Sequence, residues 1–167
     1  SESVSNYQSI NKVYAARLKD KDSYLRQETV RTLGEQPSLP DDLIRAVAAQ
    51  LEDENSSVRD ITVETLGKQL TLPSDILKAV AARLVDEDEV VRASVIRTLC
   101  KQSELPDDIF KTFAKWLEDK DNFAQAVSVE ERSAHPVLPI EIFEAVAARI
   151  DAKEDFVQAT AVEALAK

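Results

Sequence analysis

The stretch 39-LPDDLIRAVAAQLEDENSSVRD-60 returns, lightly edited, as 72-LPSDILKAVAARLVDEDEVVRA-93. Two further copies follow, 105-LPDDIFKTFAKWLEDKDNFAQA-126 and 138-LPIEIFEAVAARIDAKEDFVQA-159, and a worn one precedes them, 6-NYQSINKVYAARLKDKDSYLRQ-27. The starts at 6, 39, 72, 105 and 138 are 33 residues apart without an insertion. A strict period of this size is the mark of a stacked array, in which each unit is too small to bury a core alone. The expected units are 6–38, 39–71, 72–104, 105–137 and 138–167.

Each unit reads as helix–turn–helix. In the second, Pro40 suits the first position of a helix, where a missing N–H costs nothing. Asp41 and Asp42 complement the positive end of the helix dipole. Leu43, Val47, Ala48 and Leu51 recur at helical spacing, so the helix should end near Glu52. Asn55 is a good N-cap for a second helix from Ser56, with Val58, Thr62, Val63 and Leu66 on its apolar face. That helix should end at Gly67.

Composition narrows the function. With 44% hydrophobic and 31% charged residues the chain can fold, and its two Gly and six Pro mark no linker. No apolar run approaches the roughly 18 residues of a membrane span. A formal charge of −10 opposes a nucleic-acid groove, which needs a basic stripe. The single cysteine, Cys100, has no partner for an intramolecular disulfide, which suits a reducing, intracellular and cytoplasmic setting.

The recurring pattern LxDxDxxVRxxxVxxLG, carried by LKDKDSYLRQETVRTLG, LEDENSSVRDITVETLG and LVDEDEVVRASVIRTLC, resembles HEAT repeats. The fourth and fifth units depart from it, with Gln125 and Gln158 in the Arg position. The LPxxILxAVAARLxDED units are also similar to those of long arrays attached to fungal NACHT-type signalling ATPases. The resemblance implies an all-α fold, a right-handed α-solenoid of five repeats with the second helices lining the concave side.

Alignment of the units separates scaffold from freedom. Leu18, Leu51, Leu84, Leu117 and Ile150 form one fixed column, and Val30, Val63, Ile96, Val129 and Val162 another. These are core. Two outward columns of the second helices drift instead: Tyr24, Ser57, Val90, Phe123, Phe156, and Glu28, Ile61, Ser94, Val127, Thr160. Tyr24, Ile61, Val90, Phe123, Val127 and Phe156 are the candidate partner-binding residues, with contacts expected mainly in units four and five.

The acidic turns invite a calcium reading, but the sixth-position Gly and twelfth-position Glu of an EF-hand loop are missing. The second acid of each turn reads instead as a helix cap. Asp20, Asp53 and Asp86 stand six residues before Arg26, Arg59 and Arg92. In HEAT arrays such pairs resemble a ladder between units, suited to the planar fork of arginine. The expected rungs are Arg59 with Asp20 and Arg92 with Asp53, failing further on where Asp86 faces Gln125 and Asp119 faces Gln158. Partial exposure suggests about 1 kcal/mol or less per rung.

Other singular residues have plain roles. His135 falls in the connector column of Gln36, Gln69 and Gln102. Cys100 replaces Gly34 and Gly67, with Ser133 and Ala166 in the same register, so that column demands smallness more than an unusual backbone. A buried, inert thiol follows. Trp116, in the column of Arg17, Gln50, Arg83 and Arg149, suits packing against a neighbouring unit as well as binding. No phosphate loop, catalytic constellation or metal-spaced cluster is present. The expectation is therefore no enzyme, cofactor or metal, but a scaffold for a protein or peptide partner, without nucleic acid or membrane, monomeric or weakly associating end to end. A structural spacer or ligand-sensing segment of a larger signalling protein is the alternative. A catalytic HEAT-like protein similar to bilin lyases or DNA glycosylases, and a designed array, fit less well. The apolar last helix, 156-FVQATAVEALAK-167, suggests a segment of a longer array, and the polar Asn6, Gln8 and Asn11 suggest a cap at the front.

Overall fold

In the computed structural model, residues 2–122 are described, except 70, 103, 104, 118 and 120, with side chains from residue 8 onward. The described residues form seven helices and no strands: α1 (Glu2–Arg17), α2 (Ser23–Gly34), α3 (Asp41–Ala48), α4 (Ser56–Gly67), α5 (Ser74–Ala82), α6 (Glu89–Cys100) and α7 (Asp107–Trp116). Two compact units divide the chain, Ser1–Thr98 and Leu99–Lys167.

In repeats two to four the first helix begins one residue after the proline, one later than the sequence suggests, whereas α1 begins already at Glu2. Pro40 is the N-cap of α3, and its carbonyl accepts the first helical bond from the Ile44 amide at 2.9 Å. Proline serves as well there, since neither position asks for its N–H. At the other end α3 and α5 tighten into 3₁₀ turns, Ala49–Glu52 and Arg83–Val85. Three-residue closure shortens the helix exit and delivers Asp53 and Asp86 in extended backbone.

The second helices start from side-chain caps, as expected. Asp22 Oδ1 accepts the Tyr24 amide at 2.9 Å, Asn55 Oδ1 accepts those of Ser57 at 2.9 Å and Val58 at 3.3 Å, and Asp88 Oδ1 accepts that of Val90 at 2.8 Å. Each satisfies amides that the first turn leaves without partners.

The core of the first unit is the pair of fixed columns. Leu18, Leu51 and Leu84 are buried, as are Val30, Val63 and Ile96. Helices α2, α4 and α6 also share a second joint. Thr65 Oγ1 lies 3.3 Å from the Val30 carbonyl and Thr98 Oγ1 lies 3.4 Å from that of Val63. Glycine makes the room. A Cβ on Gly34 would stand 2.7 Å from Thr65 Oγ1, and one on Gly67 would stand 2.6 Å from Thr98 Oγ1. Neither glycine has positive φ, so space and not conformation selects it.

In the second unit, α7 buries Ile109, Phe113 and Ala114 along one face. The ring of Trp116 sits 6.1 Å from that of Phe113, tilted by 31°. Asn122 Nδ2 donates to the Trp116 carbonyl at 3.0 Å, closing the turn after the helix.

Candidate functional site

The turn between the two helices of a repeat carries the densest polar chemistry. Asp53 Oδ1 accepts the Asn55 amide at 2.9 Å and Asp86 Oδ1 that of Asp88 at 3.0 Å, so each carboxylate is anchored to its own turn. Its remaining lone pairs face the preceding repeat. Arg26 fills them in one case, with Nε 2.7 Å from Asp53 Oδ2 and Nη2 2.8 Å from Asp53 Oδ1. Arg59 does so in the next, with Nε 2.9 Å from Asp86 Oδ2 and Nη2 2.8 Å from Asp86 Oδ1.

The rungs therefore run opposite to the direction expected from sequence. Arg59 meets Asp86 and not Asp20, and Asp53 meets Arg26 and not Arg92. The reason lies in the third guanidinium nitrogen. Arg26 Nη1 donates back to the carbonyls of Asp20 and Lys21 at 2.8 and 3.1 Å, and Arg59 Nη1 to those of Asp53 and Glu54 at 2.8 and 3.3 Å. Tied to its own turn by that edge, the fork opens toward the following repeat. Arg92 holds its own turn in the same way, through the Asp86 and Glu87 carbonyls at 2.7 and 3.1 Å. The expected meeting of Asp86 with Gln125 is replaced by the bond to Arg59. Gln125 and Gln158 lie outside the described residues, and Asp119 Oδ1 accepts the amides of Asp121 at 3.0 Å and Asn122 at 3.3 Å.

Burial also exceeds expectation. The side chains of Arg59 and Asp86 are only 6% and 2% exposed. Desolvation alone would raise the Asp53 and Asp86 carboxyls. Bonds from the arginine, the turn amide and the nearby guanidinium charges outweigh it and hold both below the usual carboxylate range.

Sequence reasoning missed a second polar group, on α4 and α6. Ser94 Oγ donates to Asp60 Oδ1 at 2.5 Å, and Arg97 Nη2 donates to Ser94 Oγ at 2.7 Å. Burial raises the Asp60 carboxyl, assisted by the Glu64 and Asp88 charges and opposed by Ser94 and Arg97. The available signal was Ser94, a polar residue in the column of Ile61, with Asp60 one residue before Ile61 in the preceding repeat.

Of the candidate contact residues, Tyr24 and Val90 are 64% and 52% exposed, each in the first turn of a second helix. Ile61 is not available: it is 6% exposed. It therefore belongs to the core, and the outward reading of its column is corrected. A Glu and a Ser in the matching positions 28 and 94 disguised that burial. Phe123, Val127 and Phe156 lie outside the described residues. Cys100 is half-buried rather than buried. Among the described residues no His, Cys, Asp and Glu side chains group to hold a metal, and no helix is long and apolar enough to cross a membrane.

Comparisons with known proteins bear on the fold and the family. The crystal structure of an engineered protein aligns over 93% of this chain and 78% of its own, with a TM-score of 0.52 and 19% identity. A second engineered protein aligns over 93% of this chain and 47% of its own, with a TM-score of 0.49 and 21% identity. A search of curated proteins finds no match. The first likeness shows a shared fold, an all-helical repeat fold of the solenoid class. A family model of HEAT repeats matches residues 10–100, more than half of the sequence and the part that holds both rungs. The chain belongs to the HEAT-repeat family.

Proposed function

We propose that the chain is a non-enzymatic protein-interaction scaffold that holds a protein or peptide partner on its second helices, the concave side in the five-unit array. One observation carries the reading. Tyr24 and Val90 occupy the same outward column two repeats apart, and both leave large apolar area in water. Neither serves the core nor a rung. Phe123 and Phe156 continue that column by register, with Val127 beside them. Exposed apolar and aromatic side chains in a shared row are the usual anchors of an interface. The charge of −10 favours a partner with basic residues around its apolar contacts. An intracellular setting, without nucleic acid or membrane, belongs to the same proposal.

The test compares proteins recovered by the native chain with those recovered by two variants, Tyr24→Ser with Val90→Ser, and Phe123→Ser with Phe156→Ser. Specific loss of one protein from either variant, at unchanged melting temperature, is the expected result. Recovery of the same proteins by all three chains refutes the reading. So does a fall in stability of about 3 kcal/mol or more, which would mark truncated core aromatics.

A second reading has its own support in the buried rungs, which fix one repeat against the next. It makes the array a spacer or ligand-sensing segment of a larger signalling protein, the setting of the NACHT-linked arrays that its units resemble. Under it, array length would matter and the outward apolar side chains would not.

A further inference from the structure

One carboxylate at the joint of repeats two and three is held differently from the rungs. Asp53 and Asp86 each receive an arginine directly. Asp60 receives one through a hydroxyl, because Ser94 Oγ donates to Asp60 Oδ1 at 2.5 Å and accepts from Arg97 Nη2 at 2.7 Å. A second carboxylate stands beside the same guanidinium. Glu64 follows Asp60 by one turn of α4, with Oε1 3.9 Å from Arg97 Nη2, beyond hydrogen-bond length. Two negative charges thus compete for one positive charge. By register the preceding joint has Gln27 and Ile61 in the places of Asp60 and Ser94, and the following one has Ala93 and Val127, so neither neighbour can repeat the arrangement.

We propose that Arg97 is a two-position arm set by a proton on Asp60, held on the Ser94–Asp60 side while Asp60 is ionised and on Glu64 once Asp60 is protonated. Burial selects the carboxyl that takes the proton. Asp60 is half-buried, whereas the Glu64 side chain is 43% exposed and keeps more of its hydration. The groups facing Asp60 are Glu64 on its own helix, Ser94 and Arg97 on α6, and Asp88 at the start of α6. Burial first, then the Glu64 and Asp88 charges, raise its carboxyl against the pull of Ser94 and Arg97. On α2, Glu28 and Arg31, in the columns of Ile61 and Glu64, bond each other at 3.1 Å. Protonation removes the charge that holds Arg97 through the hydroxyl. Ser94 keeps its bonds, since its own O–H can turn to the Val90 carbonyl one turn back while its oxygen accepts the new Asp60 O–H. Arg97 then has one anion in reach, and rotation of its side chain closes the gap to Glu64. The α4–α6 joint persists in both positions because Asp60 and Glu64 share α4. The positive charge, however, moves by one turn along the helix face that carries Val90.

The test is a pH titration of the isotope-labelled full chain by NMR, following the Asp60 and Glu64 carboxyl carbons and the Arg97 side-chain Nε–H. Asp60 should titrate above the ordinary aspartate range. The nuclear Overhauser contacts of Arg97 should pass from Ser94 to Glu64 with the same midpoint. Asp60→Asn fixes the neutral state, so Arg97 should stay against Glu64 at every pH at which Glu64 is ionised. Glu64→Gln removes the second position, so Arg97 should stay on Ser94 throughout, and the Asp60 midpoint should fall with the loss of a neighbouring negative charge. Arg97 contacts that do not change across the Asp60 titration overturn the proposal, as does protonation of Glu64 before Asp60. Should Asp60→Asn fail to fold, the native chain and Glu64→Gln, altered at an exposed side chain, still decide between these outcomes.

Discussion

Replacing Arg59 by glutamine tests the direction of the ladder and its strength together. The substitution removes two bonds to Asp86 and two to the carbonyls of Asp53 and Glu54. Breaking a buried pair costs about 3–5 kcal/mol when one charge is left without compensation. Compensation here is partial, since Asp86 keeps the Asp88 amide and lies 3.8 Å from Arg83 Nη1. The expected loss is therefore about 2–3 kcal/mol, above the figure of about 1 kcal/mol for exposed pairs. Denaturant unfolding followed by circular dichroism measures it, and hydrogen exchange along α4 and α6 shows whether the joint opens locally. A double-mutant cycle with Asp86→Asn should give a coupling of about 1–2 kcal/mol. The parallel cycle with Asp20→Asn should give none. A loss below about 1 kcal/mol for Arg59→Gln, or coupling to Asp20 in place of Asp86, would refute the reasoning.

Gly67→Ala should destabilise by about 1–3 kcal/mol despite the better helix propensity of alanine, because its Cβ meets Thr98; adding Thr98→Ala should recover most of the loss in the same unfolding assay. Asn55→Ala removes the cap of α4 and should cost about 1 kcal/mol, seen as faster exchange of the Ser57 and Val58 amides. Asp53 and Asp86 have lowered folded pKa values, so their stabilisation is complete above the unfolded aspartate range and is lost as pH falls through those lower values. Asp60 has the opposite sign: its raised folded pKa stabilises at low pH and this contribution disappears as pH rises through that value. Asp60→Asn should consequently flatten the fall in stability above the unfolded range, measured as melting temperature against pH.

The period, the helix pairs and the caps were legible because each is local. A proline and two acids announce a helix start wherever they stand, and Asp22, Asn55 and Asp88 cap the next helix through bonds spanning two or three residues. Identity columns then exposed the core, and the small residues at 34 and 67 gave a true reading of tight space. Ile61 escaped because burial depends on neighbouring repeats as well as on helix phase. Its column holds Glu28, which is half-buried, and Ser94, which is buried, and two polar residue types in one column read as solvent-facing. The Asp60–Ser94–Arg97 group escaped for a related reason: it spans two repeats and occurs at one joint, so a repeat average erases it.

The direction of the rungs shows where such reading must stop. A spacing of six residues between Asp and Arg recurs in each of the first three repeats, and a periodic array supports pairing forward or backward equally well. Direction enters through Arg26 Nη1 and Arg59 Nη1, which bind carbonyls of their own turns. Those bonds turn the other guanidinium edge toward the following repeat. It follows that in both described rungs the Arg belongs to the earlier repeat and the Asp to the later one. By register Gln125 offers no guanidinium to the repeat after it, while the Arg59–Asp86 rung does not depend on it. That asymmetry makes a testable distinction between the ends of the array. By register an arginine restored at position 125 faces Ala152, so it should gain coupling only when Ala152→Asp accompanies it, and it should leave the Arg59–Asp86 rung unchanged.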